Sequence, residues 1–361
     1  MEKIITVGTD LHDQFLVLRK TIGNKAPIKE KVRNRPNDLA NMICRLKDWA
    51  RKEKCQRIVF VYEASAAGYG LYDMLIAAGI ECHILAPTKI KTSAKEKRLK
   101  TDDRDALRLL QLARNHVMAG DELPSIWIPS VQIRDDRELV RARLSLGEKV
   151  SDVKNQIQCL LKRHRLRRPE DMACNWTQKH LWWLRNLGSG TLGSGGKIAL
   201  QSFLNQYFML QDEIKVLDEE IKTLASTEAY AASSKALIAM KGVAILTAMV
   251  FLTEMGELSR FANRRQVGAY LGLAPSSNES GEKRDRKGHI TKAGSHRVRK
   301  VLCQSIWTRI RVDGPGQYEY ANIHRGEKGR KKVAVVAMMR RLAILMWHTA
   351  LNAQEATDLA A

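Results

Sequence analysis

The clearest helical pattern in the chain is Lys100-Thr-Asp-Asp-Arg-Asp-Ala-Leu-Arg-Leu-Leu-Gln-Leu-Ala-Arg114. Its apolar residues at positions 106, 109, 110 and 113 recur at helical spacing and predict one buried face. Asp102 and Asp105 are three residues apart and share a face at the edge of that stripe, whereas Asp103 is turned by about 100°. Carboxylates facing a core need a partner, and a divalent metal ion is one such partner. Taken alone, the pair is better explained as acids that suit the helix dipole.

Two further acids end predicted strands that precede this helix. Residues 4–9 read as a strand leading into Asp10, and the apolar run 57–62 reads as a strand buried on both faces that ends in Glu63. The order along the chain is three strands, helix, strand, helix, strand, helix, which is the layout of a ribonuclease-H-like sheet. The other predicted elements are strands at 14–21, 26–32 and 80–85 and helices at 37–52 and 70–78.

The four carboxylates of Asp10, Glu63, Asp102 and Asp105 form an oxygen-only ligand set suited to Mg²⁺, with Mn²⁺ as a substitute. Neighbouring strand ends lie about 5 Å apart, close enough to share ions. Two ions about 4 Å apart can clamp the attacking and leaving oxygens of a phosphoryl transfer. Each acid alone could equally serve as a cap or a surface charge. Asp13, nearby, fits a turn residue.

The charge balance points to a polyanionic partner. The 361-residue chain has 61 Lys and Arg against 39 Asp and Glu, a net charge of +22. Neutralising phosphates releases counterions, so nucleic acid is the expected partner. The six cysteines contain no Cys-x-x-Cys pair, which argues against a zinc site or a disulfide framework and favours a reducing cytoplasm. The N-terminus lacks a signal-peptide layout, and charged residues interrupt the apolar run 333–351, so no membrane segment is predicted.

Two long helical patterns occupy the middle of the chain, at 131–165 and 197–224. Their apolar residues are spaced by three and four, which predicts two arms of an antiparallel coiled coil. The segment 180–185 between them is either a hydrophobic tip or core. The glycine-rich stretch 188–197 lacks the spacing of a phosphate-binding loop and reads as a linker.

The last third contains a serine beside a glycine, Ser280-Gly281, ahead of a strongly basic loop. A serine hydroxyl can attack a phosphodiester if cations stabilise the alkoxide and the transition state. From the residues alone, Ser280-Gly281 is better explained as an ordinary loop dipeptide. The candidates for nucleic-acid contact are Lys100, Lys283, Arg284, Arg286, Lys287, Lys292, Arg297 and Arg299.

Taken together, these motifs resemble the insertion-sequence transposases that combine an Asp-Glu-Asp-Asp RuvC-like domain with a C-terminal serine domain. The motifs that carry the resemblance are Gly8-Thr-Asp10, Tyr62-Glu-Ala-Ser-Ala-Ala-Gly-Tyr-Gly70, Lys100-Thr-Asp-Asp-Arg-Asp-Ala106, Tyr270-Leu-Gly-Leu-Ala-Pro275, Ser280-Gly281 and Gly288-His-Ile-Thr-Lys-Ala-Gly294. The resemblance covers nearly the whole chain. It implies an α/β ribonuclease-H/RuvC-like metal-binding domain at 1–125, a helical coiled-coil and linker region at 126–230, and a mainly α serine transposase domain at 231–361.

The resemblance also implies a function. Members of that family act as serine recombinases guided by a bridge RNA, so the expected activity is excision and insertion of a mobile DNA element. Asp10, Glu63, Asp102 and Asp105 correspond to the metal-binding carboxylates, and Ser280 corresponds to the serine that forms a covalent link with DNA. The implied partners are donor and target DNA, a bridge RNA, and further copies of the chain in a dimer or tetramer. The implied location is the cytoplasm, at the nucleoid.

Three positions depart from the family pattern. Lys241-Gly242 replaces the usual Pro-Gly, Glu279 stands where a second serine is common, and Asp13 stands where lysine is common. Two other functions remain open at this point. One is a metal-dependent, structure-specific endonuclease resembling a Holliday-junction resolvase, with Ser280 only structural. The other is a non-catalytic nucleic-acid-binding protein that uses its basic surface alone.

Overall fold

The structure is a computed structural model that describes residues 3–90, 101–187, 191–277 and 287–359. The chain forms two compact units: unit 1, Met1–Ile128, and unit 2, Pro129–Ala361. Each unit has hydrophobic clusters of its own. The finer division into domains at 125 and 230 stays a prediction.

Unit 1 is built on a five-stranded mixed sheet. Its strands are β1 (Ile4–Leu11), β2 (Phe15–Ile22), β3 (Ile28–Arg33), β4 (Arg57–Glu63) and β5 (Glu81–Leu85). The spatial order is β3-β2-β1-β4-β5. The pairs β1–β2 and β2–β3 are antiparallel, whereas β1–β4 and β4–β5 are parallel. This is the ribonuclease-H-like layout that the element order predicts.

Helices cover both faces of this sheet. They are α1 (Pro36–Glu53), α2 (Gly70–Ala77) and α3 (Asp102–Ala119). Residues of α1 and α2 share one core cluster with inward residues such as Phe60 and Tyr62. Leu109 and Ala113 of α3 share another cluster with Val59 and Val61 of β4. Because strand side chains alternate between faces, the odd-numbered residues of β4 lie on the α3 side.

Two long helices, α4 (Val131–Arg163) and α6 (Ser194–Ala225), pack along each other in unit 2. The Nε atom of Arg143 lies 2.6 Å from Oδ1 of Asp218, and Lys154 lies over the Tyr207 ring. The paired positions rise along one helix as they fall along the other, so the predicted antiparallel arrangement is confirmed. Supercoiling of the pair as a coiled coil stays a prediction. Between them, α5 (Gln178–Arg185) buries Leu181 and Leu184 and leaves Trp182 exposed.

The rest of unit 2 is mainly helical. Its described α-helices are α7 (Ala231–Ile238), α8 (Ile245–Met255), α9 (Arg264–Tyr270), α10 (His296–Val312), α11 (Gly314–His324) and α12 (Lys331–Asp358). A short antiparallel pair, β6 (Pro275–Ser277) and β7 (Lys287–Ile290), interrupts them.

One helical segment among the described residues, Lys328–Thr357, has the length and apolar composition to cross a membrane. It contains all but the last residue of α12. Half of its most apolar window is buried inside the protein. Met338, Leu342 and Met346 of this helix belong to the same core cluster as Phe251 of α8. Its role as the core helix of unit 2 accounts for its apolar composition.

Candidate active site

The sheet register brings Asp10 and Glu63 to one place. Gly8 pairs with Val61 and Thr9 with Tyr62 across the parallel strands β1 and β4, so continuing the register places Asp10 beside Glu63. Alternation puts Glu63 on the same face as Val61, which is the face that α3 covers. Two acids from neighbouring strands therefore lie at the end of the sheet, on the side of α3.

Gly8 allows α3 to lie directly on β1. A Cβ atom at Gly8 would be 2.0 Å from the backbone nitrogen of Leu110 and 2.5 Å from the carbonyl oxygen of Ala106. Such distances leave no room for any side chain. The helix begins just after Thr101, whose hydroxyl accepts a hydrogen bond from the backbone N–H of Arg104 as an N-terminal cap. The first turn of α3 is thereby held near the end of β1.

Three carboxylates meet at this point. The side chains of Asp10 and Asp105 are 18% and 14% exposed, whereas that of Asp102 is 49% exposed. Burial raises the pKa of Asp10, and the nearby carboxylates of Asp105 and Asp102 raise it further, although His12 lowers it. Partly desolvated acids that repel one another gain from a bound cation. The donor set of oxygens therefore fits a divalent metal ion of the magnesium type.

His12 is a member of this site that the sequence reasoning missed. Its Nε2 lies 3.1 Å from Oδ2 of Asp10 and 3.5 Å from Oδ1 of Asp102, and the three residues offer ligand atoms within 4.8 Å of one another. Its spacing of two residues from Asp10 was a weak signal in the sequence, because β1 ends at Leu11 and alternation does not fix the direction of residue 12. Asp13, by contrast, is exposed in the turn between β1 and β2.

Asp103 points away from the carboxylate cluster, as the helical geometry predicts. It accepts hydrogen bonds from Arg19 at 2.9 and 2.6 Å, and Lys29 lies 3.2 Å away. The hydrogen bonds from Arg19 hold the pKa of Asp103 below its ordinary value. Asp105, on the site's side of the helix, has the Nη2 atom of Arg108 3.7 Å from its carboxylate. Adjacent acids in one helical turn therefore have different partners.

Several of the predicted site residues lie outside the described residues. This applies to Ser280 itself and to Lys100, Lys283, Arg284 and Arg286. Lys287 begins β7, and nothing is described of its side chain. Residues 278–286, which include Ser280, connect β6 to β7.

The strands and turns that flank this connection are closely packed. Ser276 donates a hydrogen bond from Oγ to the carbonyl oxygen of His289, 3.0 Å away. A Cβ atom at Gly294 would lie 2.0 Å from the carbonyl oxygen of Tyr270, so the two turns contact through backbone. The Nη1 atom of Arg299 donates to the carbonyl oxygens of Leu271 and Gly294 at 3.0 and 2.7 Å, which joins the same turns.

The predicted basic residues near these turns differ in exposure. Lys292 is exposed, and Arg297 is partly buried. Burial lowers the pKa of the Arg299 guanidinium, and its two carbonyl partners give it a structural position.

Comparison with known proteins identifies the family. Residues 7–165 match the DEDD_Tnp_IS110 family, described as Transposase, and residues 234–322 match the Transposase_20 family, described as Transposase IS116/IS110/IS902 family. The chain is 31% identical over 329 residues to y4qE, a candidate transposase of Sinorhizobium fredii (strain NBRC 101917 / NGR234), a match that covers 84% of this chain and 78% of that protein. The chain belongs to the IS110/IS116/IS902 family of transposases.

Other transposases are similar over most of their length. The transposase for insertion sequence element IS1533 of Leptospira borgpetersenii is 25% identical over 352 residues, which is 95% of each chain. The transposase for insertion sequence element IS1111A of Coxiella burnetii (strain RSA 493 / Nine Mile phase I) is 23% identical over 294 residues, 80% of this chain and 76% of that one.

Family membership makes this transposase an enzyme of DNA transposition, and DNA binding follows from that activity. Its match to the DEDD class contains all four predicted acids and implies a divalent metal ion. The acidic groups at the end of the unit 1 sheet are the candidates to hold it.

Proposed function

We propose that this transposase cuts and rejoins DNA at a divalent-metal site held by Asp10, Glu63, Asp102 and Asp105. The observation that carries the proposal is the convergence of strand-end acids with the first turn of α3 on one face of a ribonuclease-H-like sheet. Mg²⁺ is the expected ion, with Mn²⁺ as a substitute, because all four donors are carboxylates. When bound, such an ion neutralises charge on a phosphate and activates an oxygen nucleophile.

The residues around the acids hold their geometry. His12 contacts both Asp10 and Asp102 and orients the two carboxylates toward each other. Arg19 and Lys29 hold Asp103, which ties the first turn of α3 to β2 and β3. The contact of Gly8 with α3 keeps the strand and the helix at backbone distance.

Ser280 is the nucleophile in the proposed reaction. Its Oγ attacks the phosphorus of a DNA phosphodiester, loses its proton, and displaces a DNA hydroxyl as the leaving group. A hydroxyl of the other DNA strand end then attacks the phosphoserine and releases Ser280. No external energy source is needed, since the phosphoserine bond retains the energy of the broken phosphodiester. Support comes from membership of the family whose C-terminal motifs the chain resembles.

Basic residues in both units supply the proposed contacts to DNA phosphates. They are Lys100, Lys283, Arg284, Arg286, Lys287, Lys292, Arg297 and Arg299. The net charge of +22 supports this role, because phosphate neutralisation dominates the affinity of such proteins for nucleic acid.

The proposed partners extend to a bridge RNA and further copies of the chain. The long pair α4–α6 is the proposed coiled coil that joins subunits in a dimer or tetramer, since such arms commonly serve association. The protein acts in the cytoplasm, at the nucleoid, where donor and target DNA lie. Sequencing of RNA that copurifies with the protein tests guidance. One defined RNA species is expected, and random fragments would contradict it.

A recombination assay with Ser280→Ala protein tests the serine step. Excision and insertion should fall to background, and the covalent protein–DNA complex seen with wild-type protein on a denaturing gel should disappear. Ser276→Ala is the matched control, because Ser276 precedes Ser280 by four residues and its hydroxyl donates a hydrogen bond to the backbone carbonyl of His289. Undiminished recombination by Ser280→Ala would refute the serine mechanism.

A structure-specific endonuclease is the second candidate, because the carboxylate cluster alone would suffice for it. The two functions differ in their products. An endonuclease leaves cut DNA ends that are free of protein, and its Ser280→Ala variant cuts as well as the wild-type protein does.

A further inference from the structure

We propose that unit 1 has a second metal site, a zinc site formed by Glu81, His83 and His116. Glu81 and His83 are two residues apart on β5 and therefore share a face. Glu81 pairs with Val59 and His83 with Val61 of β4, and both valines pack beneath α3. The two side chains consequently lie on the face of the sheet that α3 covers.

His116 completes the cluster from the last turn of α3. Its ring centroid lies 5.5 Å from that of His83, and Nε2 of His83 lies 2.9 Å from Oε1 of Glu81. One ligand atom from each of the three residues lies within 4.8 Å of the other two. All three side chains are partly buried, so a bound ion would be partly shielded from water.

Neighbouring groups engage the other polar atom of Glu81 and of His116, so that one atom of each faces the cluster. Nδ1 of His116 lies 2.7 Å from the carbonyl oxygen of Asp121 and donates its hydrogen there, which leaves Nε2 as the donor. Oε2 of Glu81 accepts hydrogen bonds from Nη2 and Nε of Arg57 at 2.5 and 3.2 Å, which leaves Oε1. Metal-binding histidines and carboxylates are commonly oriented in this way.

His83 already contacts Glu81 through the atom that would bind an ion. Nδ1 of His83 lies 3.5 Å from Oγ of Ser125, and its Nε2 faces Glu81. Binding of an ion would replace this contact, because Nε2 of His83 and Oε1 of Glu81 would both turn to the metal.

Two imidazole nitrogens and one carboxylate oxygen favour zinc over magnesium. Magnesium prefers oxygen ligands, whereas a His₂Glu set with a water in the fourth position is a recognised zinc arrangement. Tetrahedral zinc needs ligand atoms about 3.3 Å apart. Side-chain rotations must therefore open the 2.9 Å contact of His83 with Glu81 by about 0.4 Å and bring His116 closer by about 1.5 Å at most. The site contains no cysteine. The absence of a Cys-x-x-Cys pair, which argued against a zinc site in the sequence, therefore does not bear on it.

The site is separate from the carboxylate cluster and would stabilise the helix that both share. Asp102 and His116 lie at opposite ends of α3, about 20 Å apart at the rise of an α-helix. An ion bound to His83 and His116 would fasten the end of α3 to the edge strand β5. Because such binding occurs only in the folded state, zinc should raise the thermal stability of unit 1.

Zinc titration of the full chain, made without a histidine tag and first dialysed against a chelator, tests the proposal. Excess Mg²⁺ is kept present to occupy oxygen-only sites. We expect one equivalent of Zn²⁺ to bind, an upward shift of the melting temperature, and tetrahedral absorption bands when Co²⁺ replaces Zn²⁺. His83→Gln and His116→Gln should each weaken zinc binding by more than about 100-fold. Removing a residue that only hydrogen-bonds to a metal ligand costs less, about 10- to 100-fold.

Two control variants distinguish this site from zinc binding by a surface histidine or by the carboxylate cluster. His164→Gln removes an exposed imidazole at the end of α4 and should bind zinc as the wild type does. Asp10→Asn alters the carboxylate cluster and should also retain zinc. The proposal would be overturned if the wild type and both histidine variants bound zinc equally. It would also be overturned if Asp10→Asn lost zinc binding while the histidine variants kept it. If His116→Gln proves unfolded by circular dichroism, His83→Gln decides the question.

Discussion

Gly8→Ala should disable the protein by pushing α3 away from β1. Alanine in place of glycine within a strand normally stabilises, because it restricts the unfolded chain. Here the added Cβ atom would lie 2.0 Å from the backbone nitrogen of Leu110 and 2.5 Å from the oxygen of Ala106. Both are backbone atoms of a helix, so no side-chain rotation can relieve the overlap.

The size of the effect follows from these distances. Restoring an ordinary contact of 3.4 Å at Leu110 requires the helix and the strand to separate by about 1.4 Å. Overpacking of this kind costs about 1–3 kcal/mol, and backbone overlap places Gly8→Ala at the upper end. The same shift moves Asp102 and Asp105 away from Asp10. A misplacement of about 1 Å can lower a catalytic rate about 100-fold.

Hydrogen exchange and a transposition assay measure the two consequences. The amides of α3 should lose protection in Gly8→Ala, and transposition should fall by about 100-fold. Gly70→Ala is the matched control, because a Cβ atom there meets nothing within 4 Å, and it should be neutral or stabilising by about 0.4–1 kcal/mol. Wild-type protection of α3 together with wild-type transposition in Gly8→Ala would refute the reasoning.

Two further predictions concern a partly buried acid, Asp10, and a buried one, Glu254. Burial raises the pKa of Asp10 above its ordinary 3.8. The contribution of Asp10 to the stability of the folded protein is therefore complete below pH 3.8 and is lost as the pH rises through the pKa of the folded state. Asp10→Asn should raise the melting temperature of metal-free protein at pH 7. Arg141→Ala should lower the free energy of unfolding in urea by about 3 kcal/mol. The reason is that the carboxylate of Glu254, which is 8% exposed, would lose the guanidinium that lies 2.8 Å from it. An unchanged urea midpoint would contradict this prediction.

Much of unit 1 could be predicted because local patterns specify it. Apolar runs and alternation placed four strands within two residues of β2–β5, and the helical period separated Asp103 from Asp102 and Asp105. The register of the parallel strands β1 and β4 brings Asp10 beside Glu63. An acid at the end of each strand was therefore enough to predict that the two lie together.

What the sequence did not reveal depends on distant contacts or on short segments. His12 lies just beyond a strand, where alternation no longer fixes a side chain's direction, and only the structure shows it between Asp10 and Asp102. The cluster of Glu81, His83 and His116 joins a sheet edge to a helix end, and no local pattern encodes that contact. The pair β6–β7 is too short to give a strand pattern.

The most direct test of the proposed metal site compares Asp102→Asn with Asp103→Asn in one transposition assay. Both changes remove one charge from the same helical turn, but only Asp102 faces Asp10 and His12, whereas Asp103 pairs with Arg19. The Asp103–Arg19 pair is partly exposed, and asparagine keeps an oxygen that can accept from Arg19, so Asp103→Asn should cost about 1 kcal/mol. We predict that Asp102→Asn abolishes transposition and that Asp103→Asn retains most of it. Equal activity of the two variants would contradict the account.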